Sequence, residues 1–268
     1  MSSPHPVQAS GNGRSRTAGL IVIGNEVLSA KVQDENTPVV LSKLAGAGIR
    51  VGEVALLADD VARIAAVVRD FAARFDLVVT TGGVGPTHDD CTWQAVAMAL
   101  DRPLELHQAL IDRVESRLGV PMTTEQRRMA LLPAGTVLHA ADGRWPLLQV
   151  ANVFVLPGVP SLVAGRIDRL CEQFAMPRAE LATVYLGVDE WDFVPAIDAV
   201  VAAHPDLEIG SYPVFDGADH RLRLTFEGHE RHRVESAVHA IAGYAGQAKL
   251  VRVEWRNLTT TVVAQEPA

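Results

Sequence analysis

The sequence contains few cysteines, and this shortage excludes two classes of protein. Cys91 and Cys171 are the only cysteines among 268 residues. Two cysteines cannot build a disulfide framework or a cysteine-rich zinc site. Cys91 follows Asp89 and Asp90, and a reactive thiol is one interpretation of that position. No obvious basic partner would activate the thiol, so the pattern favours a buried, inert cysteine.

Long apolar runs and an excess of basic residues are also missing. No apolar run approaches the roughly 18–20 residues that a membrane-spanning helix needs, so we expect no membrane span. Residues 1–17 are rich in Ser, Gly and Pro and lack a signal-peptide core, which predicts a flexible tail and a cytoplasmic location. The formal net charge is −8. Broad nucleic-acid binding needs clustered Lys and Arg, so we expect no nucleic-acid partner.

The remaining composition is that of a globular chain, with 48% hydrophobic and 21% charged residues. Short β-branched runs alternate with helix-like segments, which is typical of a parallel sheet covered by helices on both faces. The predicted strands are 18–24, 49–57, 76–79 and 153–156, and the predicted helices are 37–44, 60–74, 92–100, 107–118, 124–130 and 161–174. Thr37 and Ser161 are predicted to cap the first and last of these helices.

The pattern changes after residue 176 and predicts a second, smaller α+β module. Its predicted strands and helices follow the order β-α-β-β-α, with a further strand near residues 249–254. We therefore expect an α/β domain over 18–176, an α+β domain over 177–255, and tails at 1–17 and 256–268.

A glycine-rich stretch, Thr80–Asp90, follows the strand-like segment Asp76–Val79 and leads into a helix. Glycines at the carboxyl end of a strand let backbone N–H groups approach an anionic ligand closely. Asp89 and Asp90 in the same stretch would repel a bare phosphate. The stretch therefore predicts a phosphate-type ligand together with either a divalent metal or a catalytic carboxylate.

Two further loops are predicted to reach the same edge of the sheet. The segment Pro157–Pro160 ends a buried strand, and ligands of open α/β sheets bind at the carboxyl edge of the strands. The other loop follows the first strand and contains Glu26, Lys31, Asp34 and Asn36. Asp34 and Asn36 also suit a helix cap. With Asp90, Glu26 and Asp34 would supply carboxylates for a Mg²⁺-type ion beside a substrate phosphate.

Four segments together resemble the molybdopterin-binding-like domain family. The segments are Gly24-Asn25-Glu26-Val27-Leu28, Gln33-Asp34-Glu35-Asn36-Thr37, the string from Thr81 to Asp90, and Pro157-Gly158-Val159-Pro160. Within that family, the sequence is similar to the CinA amino-terminal domain and to the molybdopterin-binding-like domain of FAD synthase. The resemblance extends from about Ala18 to Val253 and implies a three-layer α/β/α domain followed by a KH-like α+β domain.

The resemblance also implies chemistry. Relatives of these two types are pyrophosphatases that use a divalent metal (Mg²⁺, Mn²⁺ or Co²⁺), with K⁺ as a further candidate. Related molybdenum-cofactor enzymes adenylylate molybdopterin with aspartates that match Asp34 and Asp90. Since such relatives self-associate, a homodimer is expected. Hydrolysis of an ADP-ribose- or FAD-type phosphoanhydride is therefore one hypothesis. Binding of molybdopterin or a nucleotide without turnover, and molybdopterin adenylyl transfer, are the alternatives.

The hydrolase hypothesis gives each candidate residue a role. Asp34 and Asp90 are the predicted catalytic residues, and with Glu26 they are the predicted metal ligands. The predicted substrate contacts are Lys31, Asn36, Thr81, Gly82, Gly83, Gly85, Thr87, Pro157 and Gly158. Lys31 also suits a solvated surface lysine. His88 suits either a general base or a loop-stabilising hydrogen bond. Trp145 and Trp191 could stack on a base, although packing is the more ordinary role for both.

Overall fold

The computed structural model describes residues 16–139, 145–216, 219–246 and 249–256. The chain divides into two compact units, Met1–Pro177 and Arg178–Ala268. Most of the predicted tails, at residues 1–15 and 257–268, lie outside the described residues. Arg16 and Thr17 were assigned to the first tail, but both belong to a strand. The amide of Thr17 donates to Oδ2 of Asp76 at 2.8 Å, and the Arg16 guanidinium lies over the ring of Phe174, which fixes both residues to the fold.

The first unit contains the helices and strands that the sequence predicts, with one short helix and four short strands in addition. Its strands are β1 (Arg16–Ile23), β2 (Ile49–Leu57), β3 (Leu77–Thr81), β4 (Leu104–Leu106), β5 (Leu131–Pro133), β6 (Val137–His139), β7 (Leu147–Val150) and β8 (Val153–Leu156). Its helices are α1 (Asn25–Leu28), α2 (Asn36–Gly46), α3 (Val61–Arg74), α4 (Thr92–Ala99), α5 (Gln108–Leu118) and α6 (Pro160–Phe174), with a 3-10 helix at Gln126–Ala130. Strands β4 to β7 were not predicted. Strands β4, β5 and β6 have only three residues each, too few to show the two-residue repeat of a strand.

Six of these strands form one sheet in the order β2-β1-β3-β8-β7-β6. The first four strands are parallel, as the sequence predicts. At one edge, β7 pairs antiparallel with β8 and β6 pairs antiparallel with β7. Only Ala151 and Asn152 separate β7 from β8. A two-residue link closes a hairpin but is too short for the crossover that parallel neighbours require. Because β1, β2, β3 and β8 are parallel, their carboxyl ends meet at one edge of the sheet.

Helices cover both faces of this sheet and give three layers. Alternate residues of β1 separate the two cores: Ile21 and Ile23 pack with α3, α4 and α5, while Leu20 and Val22 pack with α2 and α6. This alternation follows from the two-residue repeat of a strand. The α/β/α architecture predicted from the sequence is confirmed.

Two predicted helix caps are wrong. Helix α2 begins at Asn36, and its first turn is capped by Asp34, whose Oδ1 accepts the amides of Asn36 and Thr37, each at 3.0 Å. Thr37 therefore lies inside the helix. Helix α6 begins at Pro160, one residue before Ser161, because proline suits the first helical position, where no backbone donor is needed.

The second unit is a smaller α+β domain with its own core. It consists of β9 (Glu180–Leu186), α7 (Glu190–Ala203), β10 (Glu208–Pro213), β11 (Leu222–Gly228), α8 (Arg231–Ala245) and β12 (Leu250–Trp255). The strands form an antiparallel sheet in the order β10-β11-β9-β12, and both helices pack on it around residues such as Phe226 and Ile241. The predicted order of elements is confirmed. In the described ranges of both units, every helix is too short or too polar to span a membrane.

Candidate active site

Two glycine-bearing loops meet at the carboxyl edge of the parallel strands. Gly82 follows β3 with a φ of 100°, and a Cβ at this position would lie 2.0 Å from the carbonyl oxygen of Ile23 at the end of β1. Gly158 follows β8, and a Cβ there would lie 3.5 Å from the Cα of Gly82. The backbones of three strand ends therefore pack directly on one another. Only glycine at position 82 permits this approach.

A cavity of about 620 Å³ opens at these loops. Its polar and backbone wall consists of Glu26, Gly82, Gly83, Gly85, Asp90, Pro157, Gly158 and Arg166. Its apolar side includes Trp93, Leu110, Met129, Trp145, Leu148 and Val155. Cofactor sites commonly have this form, with a mostly apolar lining and a few converging polar groups. The two loops predicted to share a crevice do share one.

Asn36 and Thr81 tie the two loops together from below. Nδ2 of Asn36 donates to Oγ1 of Thr81 at 3.1 Å and to the carbonyl of Gly158 at 2.7 Å. The hydroxyl of Thr81 donates to the carbonyl of Pro157 at 2.9 Å. Both side chains are buried, and neither lines the cavity in the described structure. They act here by fixing the loop backbones, and their predicted contact with a ligand stays a prediction.

The carboxylate of Asp90 is held against the glycine loop. Its Oδ2 accepts the amide of Thr87 at 2.8 Å and also the Thr87 hydroxyl. A Cβ on Gly85 would lie 2.6 Å from the same oxygen, so a side chain there would displace the carboxylate. Thr87 thus positions Asp90. Glu26 is exposed at the start of α1, on another wall of the same cavity.

Four other candidate residues lie outside the cavity wall: Thr87, which positions Asp90, and Asp34, Lys31 and His88. Asp34 caps helix α2 through Oδ1, while its Oδ2 has no hydrogen-bond partner among the described residues. The Lys31 side chain is exposed, and its amide donates to the carbonyl of Glu26. The His88 side chain is 96% exposed, and its Nδ1 lies 3.9 Å from Oδ1 of Asp89, so it makes no loop-stabilising hydrogen bond with a described residue.

Among the described residues, no group of three or more His, Cys, Asp or Glu side chains is placed to hold a metal ion. The cavity nevertheless has two carboxylates, those of Glu26 and Asp90. Mg²⁺ usually binds through one or two carboxylates and completes its shell with substrate phosphates and water. The donor set therefore fits a cation that is shared with a bound phosphate, and the predicted trio with Asp34 is not assembled.

Asp59 is a site residue that the sequence analysis missed. It follows β2, and its Oδ2 accepts the amide of Asn25 at 2.9 Å, which fixes the loop that carries Glu26. Its carboxylate, together with those of Asp60 and Asp90, also raises the pKa of the Cys91 thiol, although burial has the larger effect. The position of Asp59 just after a predicted strand was the available signal, and it becomes informative only when β2 is placed beside β1.

Arg166 is a second missed residue and the cationic group of the cavity. It is 6% exposed, and its Nη1 donates to the carbonyl of Leu162 at 2.6 Å. Burial lowers the pKa of its guanidinium to about 10. An arginine in the apolar stripe of α6, among Val163, Ile167 and Leu170, was a signal for this role, because such a stripe normally excludes charge.

The two tryptophans have different environments. Trp145 is half-buried, packs against the core on the α3 side of the sheet and lines the cavity, so it both packs and faces the site. Trp191 lies at the start of α7 in the second unit and is 87% exposed, so core packing does not describe it.

Comparison with known proteins places the chain in a family. Residues 19–176 match a family model described as a probable molybdopterin binding domain, and residues 179–254 match the FAD synthase middle domain. The first match covers more than half of the chain. The chain therefore belongs to the molybdopterin-binding domain family, with homologues named as FAD synthases and CinA-like proteins.

Individual relatives give the same assignment. The chain is 30% identical over 254 residues to a probable FAD synthase of Caenorhabditis briggsae, covering 84% of this chain and 48% of that protein. It is 31% identical over 223 residues to a CinA-like protein of Anaeromyxobacter dehalogenans, covering 78% and 52%. It thus spans about half the length of these curated relatives. The crystal structure of a CinA protein of unknown function from Thermoplasma acidophilum superposes with a TM-score of 0.54 and 25% identity, covering 60% of this chain and all of that one.

Proposed function

We propose that the protein is a metal-dependent nucleotide pyrophosphatase that hydrolyses a phosphoanhydride bond in a nucleotide cofactor of the ADP-ribose or FAD type. The proposal rests on one observation about the cavity at the two glycine-bearing loops, which we call the glycine-loop cavity. The loop backbone, the carboxylates of Glu26 and Asp90, and the buried guanidinium of Arg166 all line it. Backbone N–H groups and a guanidinium suit the oxygens of a diphosphate. The carboxylates suit the cation that would accompany it.

Each group has a defined part in the proposed reaction. The backbone from Gly82 to Gly85 and Arg166 bind the diphosphate, and the apolar side of the cavity takes the attached organic group. A bound divalent cation would supply Lewis-acid stabilisation of charge on the phosphate oxygens. Asp90, positioned by Thr87, orients a water molecule and accepts its proton.

The proposed reaction is a simple hydrolysis, in which one bond to phosphorus forms and one breaks. The water oxygen forms a bond to one phosphorus, and the bond from that phosphorus to the bridging oxygen breaks. The bridging oxygen keeps the electron pair and leaves on the second phosphate, so the products are two monophosphates. Arg166 offsets the negative charge that grows during this step.

The test uses the Asp90→Asn variant, which keeps the size of the side chain and its acceptor oxygen. We expect turnover of ADP-ribose, FAD or NADH with Mg²⁺, Mn²⁺ or Co²⁺ to fall at least a hundredfold, since general-base catalysis contributes about 10² to 10⁴. Asp101→Asn is the matched control, because Asp101 is exposed with a φ of 52°, a conformation that asparagine tolerates.

Metal removal is part of the same experiment. EDTA should abolish turnover, and each divalent metal should then be restored singly, with and without K⁺. If the wild-type protein leaves all three compounds intact with every metal, the hydrolase proposal is wrong.

The second candidate is binding without turnover, or adenylyl transfer to molybdopterin. The family description, a probable molybdopterin binding domain, favours it, and the same cavity suits it. A binding protein would keep its affinity for molybdopterin in Asp90→Asn and show no hydrolysis in the wild type. Incubation of the wild type with ATP and molybdopterin tests the transferase, whose product would be adenylylated molybdopterin.

A further inference from the structure

A second cavity, of about 570 Å³, adjoins the glycine-loop cavity. The two have Trp145, Leu162 and Arg166 in common. The second cavity is completed by Arg117, Ser161, Gly165 and Arg169. We name it the arginine cavity, because three of its seven described lining residues are arginines and none of the seven is acidic.

The charges of these arginines are not neutralised by carboxylates of the described chain. Arg166 donates to the carbonyl of Leu162, and Arg169 donates to the carbonyl of His139 at 2.6 Å. Arg117 is exposed and forms no ion pair with a described residue. Other arginines of the protein do have partners, such as Arg233 with Asp206 and Arg74 with Asp70.

The buried member of the group makes this arrangement costly without a ligand. Arg166 is 6% exposed, and burial lowers the pKa of its guanidinium. A buried charge without a counter-ion is unfavourable, and an anion placed in the cavity would offset that cost. The chain has a net charge of −8, so a cavity with three guanidiniums that lack a carboxylate partner among the described residues differs from its overall acidic character.

We propose that the arginine cavity is a phosphate-monoester subsite for the far end of the ligand that the glycine-loop cavity binds. This inference rests on the proposed function, and within that substrate class it assigns a preference for nucleotide cofactors that carry a phosphate monoester in addition to the diphosphate.

Two observations favour a ligand phosphate over a free ion. Arg166 and Trp145 belong to both cavities, so one extended molecule can contact both. The volume of about 570 Å³ also leaves room for a sugar beside the phosphate. Guanidinium groups bind phosphate through two parallel hydrogen bonds, and several guanidiniums give specificity for a dianionic group. Ser161 adds a hydroxyl donor at the rim.

The experiment measures binding in EDTA, where no turnover is required. The probes are two pairs that differ by one phosphate monoester, NADPH against NADH and ADP-ribose 2′-phosphate against ADP-ribose, titrated calorimetrically into the full chain. We expect the wild type to bind the phosphorylated member of each pair about tenfold more tightly, which is about 1.4 kcal/mol. In Arg117→Gln and Arg169→Gln, this ratio should fall to about one to three.

The controls separate charge in the cavity from charge in general and from misfolding. Arg50→Gln removes an exposed arginine from β2 and should leave the tenfold ratio unchanged. Arg117 is the principal test position, because its side chain is exposed and its replacement leaves the core intact. Arg117→Lys keeps the charge without the planar fork and should give an intermediate ratio.

Equal affinity of the wild type for both members of each pair would overturn the inference. An unchanged affinity ratio in both arginine variants would also overturn it. A third contrary result is binding of inorganic phosphate that is lost in Arg117→Gln while the paired ligands show no preference. The last result would mean a free-phosphate site. Hydrolysis of NADH with a ratio of one contradicts only this inference. A tenfold ratio without hydrolysis of any compound contradicts only the proposed pyrophosphatase.

Discussion

The absence of a side chain at Gly82 directly shapes the site. Its φ of 100° and its approach to the carbonyl of Ile23 leave no space for a Cβ. We expect Gly82→Ala to lower the free energy of unfolding by at least about 2 kcal/mol, because the energetic cost of the strained backbone adds to that of the direct clash. Chemical denaturation followed by circular dichroism measures it.

Gly165→Ala is the matched control for that substitution. Gly165 lies within helix α6 of the same unit, and a Cβ there would meet nothing within 4 Å. Alanine should therefore stabilise the helix by about 0.5–1 kcal/mol. Equal effects of the two substitutions would contradict the account of the packed strand ends.

Arg166 and Asp59 show why single residues of the site escaped prediction. Their types are ordinary, and neither belongs to a recognisable motif of the sequence. Arg166 matters because α6 carries it beside the glycine loops, and Asp59 matters because β2 ends next to β1. Position in space, and not residue type, gives them a place in the site.

Helix α2 combines two roles in its first turn. Asp34 caps the helix through Oδ1, and Asn36 at its first position holds the carbonyl of Gly158. The start of one helix therefore determines where a loop from β8 lies. From the sequence alone, Asp34 suits both a helix cap and a catalytic role. The structure demonstrates the cap, and the catalytic role through Oδ2 stays a prediction.

Substitutions at Asp34 separate these roles. Asp34→Ala should lower the free energy of unfolding by about 1 kcal/mol, the usual value of a helix cap. Asp34→Asn keeps an acceptor oxygen and should stay within about 0.5 kcal/mol of the wild type, since asparagine caps as well as aspartate. If the carboxylate is also catalytic, Asp34→Asn loses turnover at least tenfold while remaining folded. Thermal melts and the pyrophosphatase assay on the same samples measure both.

Asp60 offers the matched control for the cap. It caps helix α3 by accepting the amide of Arg63 at 3.0 Å and does not line the cavity. Asp60→Ala should cost about the same stability as Asp34→Ala. Full turnover in Asp34→Asn would leave Asp34 with the capping role alone.

At the scale of the whole molecule, the two units each bury a separate core. The cores around Phe71 and Phe154 belong to the first unit, and the core around Phe226 belongs to the second. Residues 175–179, where the division falls, have no regular secondary structure. Because no core cluster of the described residues draws on both units, each unit has what it needs to fold alone.

We therefore expect the fragments 1–177 and 178–268 to fold when they are expressed separately. Each should give a cooperative thermal transition and dispersed amide resonances. A fragment ending at residue 150 is the control, since it lacks β8, which pairs with β3 inside the sheet, and it should not fold. An unfolded 178–268 fragment beside a folded full-length chain would contradict the prediction.

The expected homodimer stays a prediction.

The sequence by itself determined the type and order of the longer elements and the existence of the glycine loops. Alternation of apolar runs with helical periodicity predicted the three layers and the second α+β unit, because burial depends on patterns that repeat along the chain. Glycine clusters after β3 and proline with glycine after β8 likewise indicated the ligand edge, because backbone conformation restricts which residues fit there.

Only the tertiary structure decided which side chains share the cavity. Glu26, Asp90 and Arg166 line the cavity at the glycine loops. Asn36 and Thr81 instead hold the loop backbones through hydrogen bonds, and Asp34 caps a helix. The tertiary structure also added β7 antiparallel to β8, and β6 antiparallel to β7, at one edge of the sheet. Three arginines from two helices come together in an adjoining cavity. Contacts between residues far apart in the chain depend on strand order and register, which no local pattern of residues specifies.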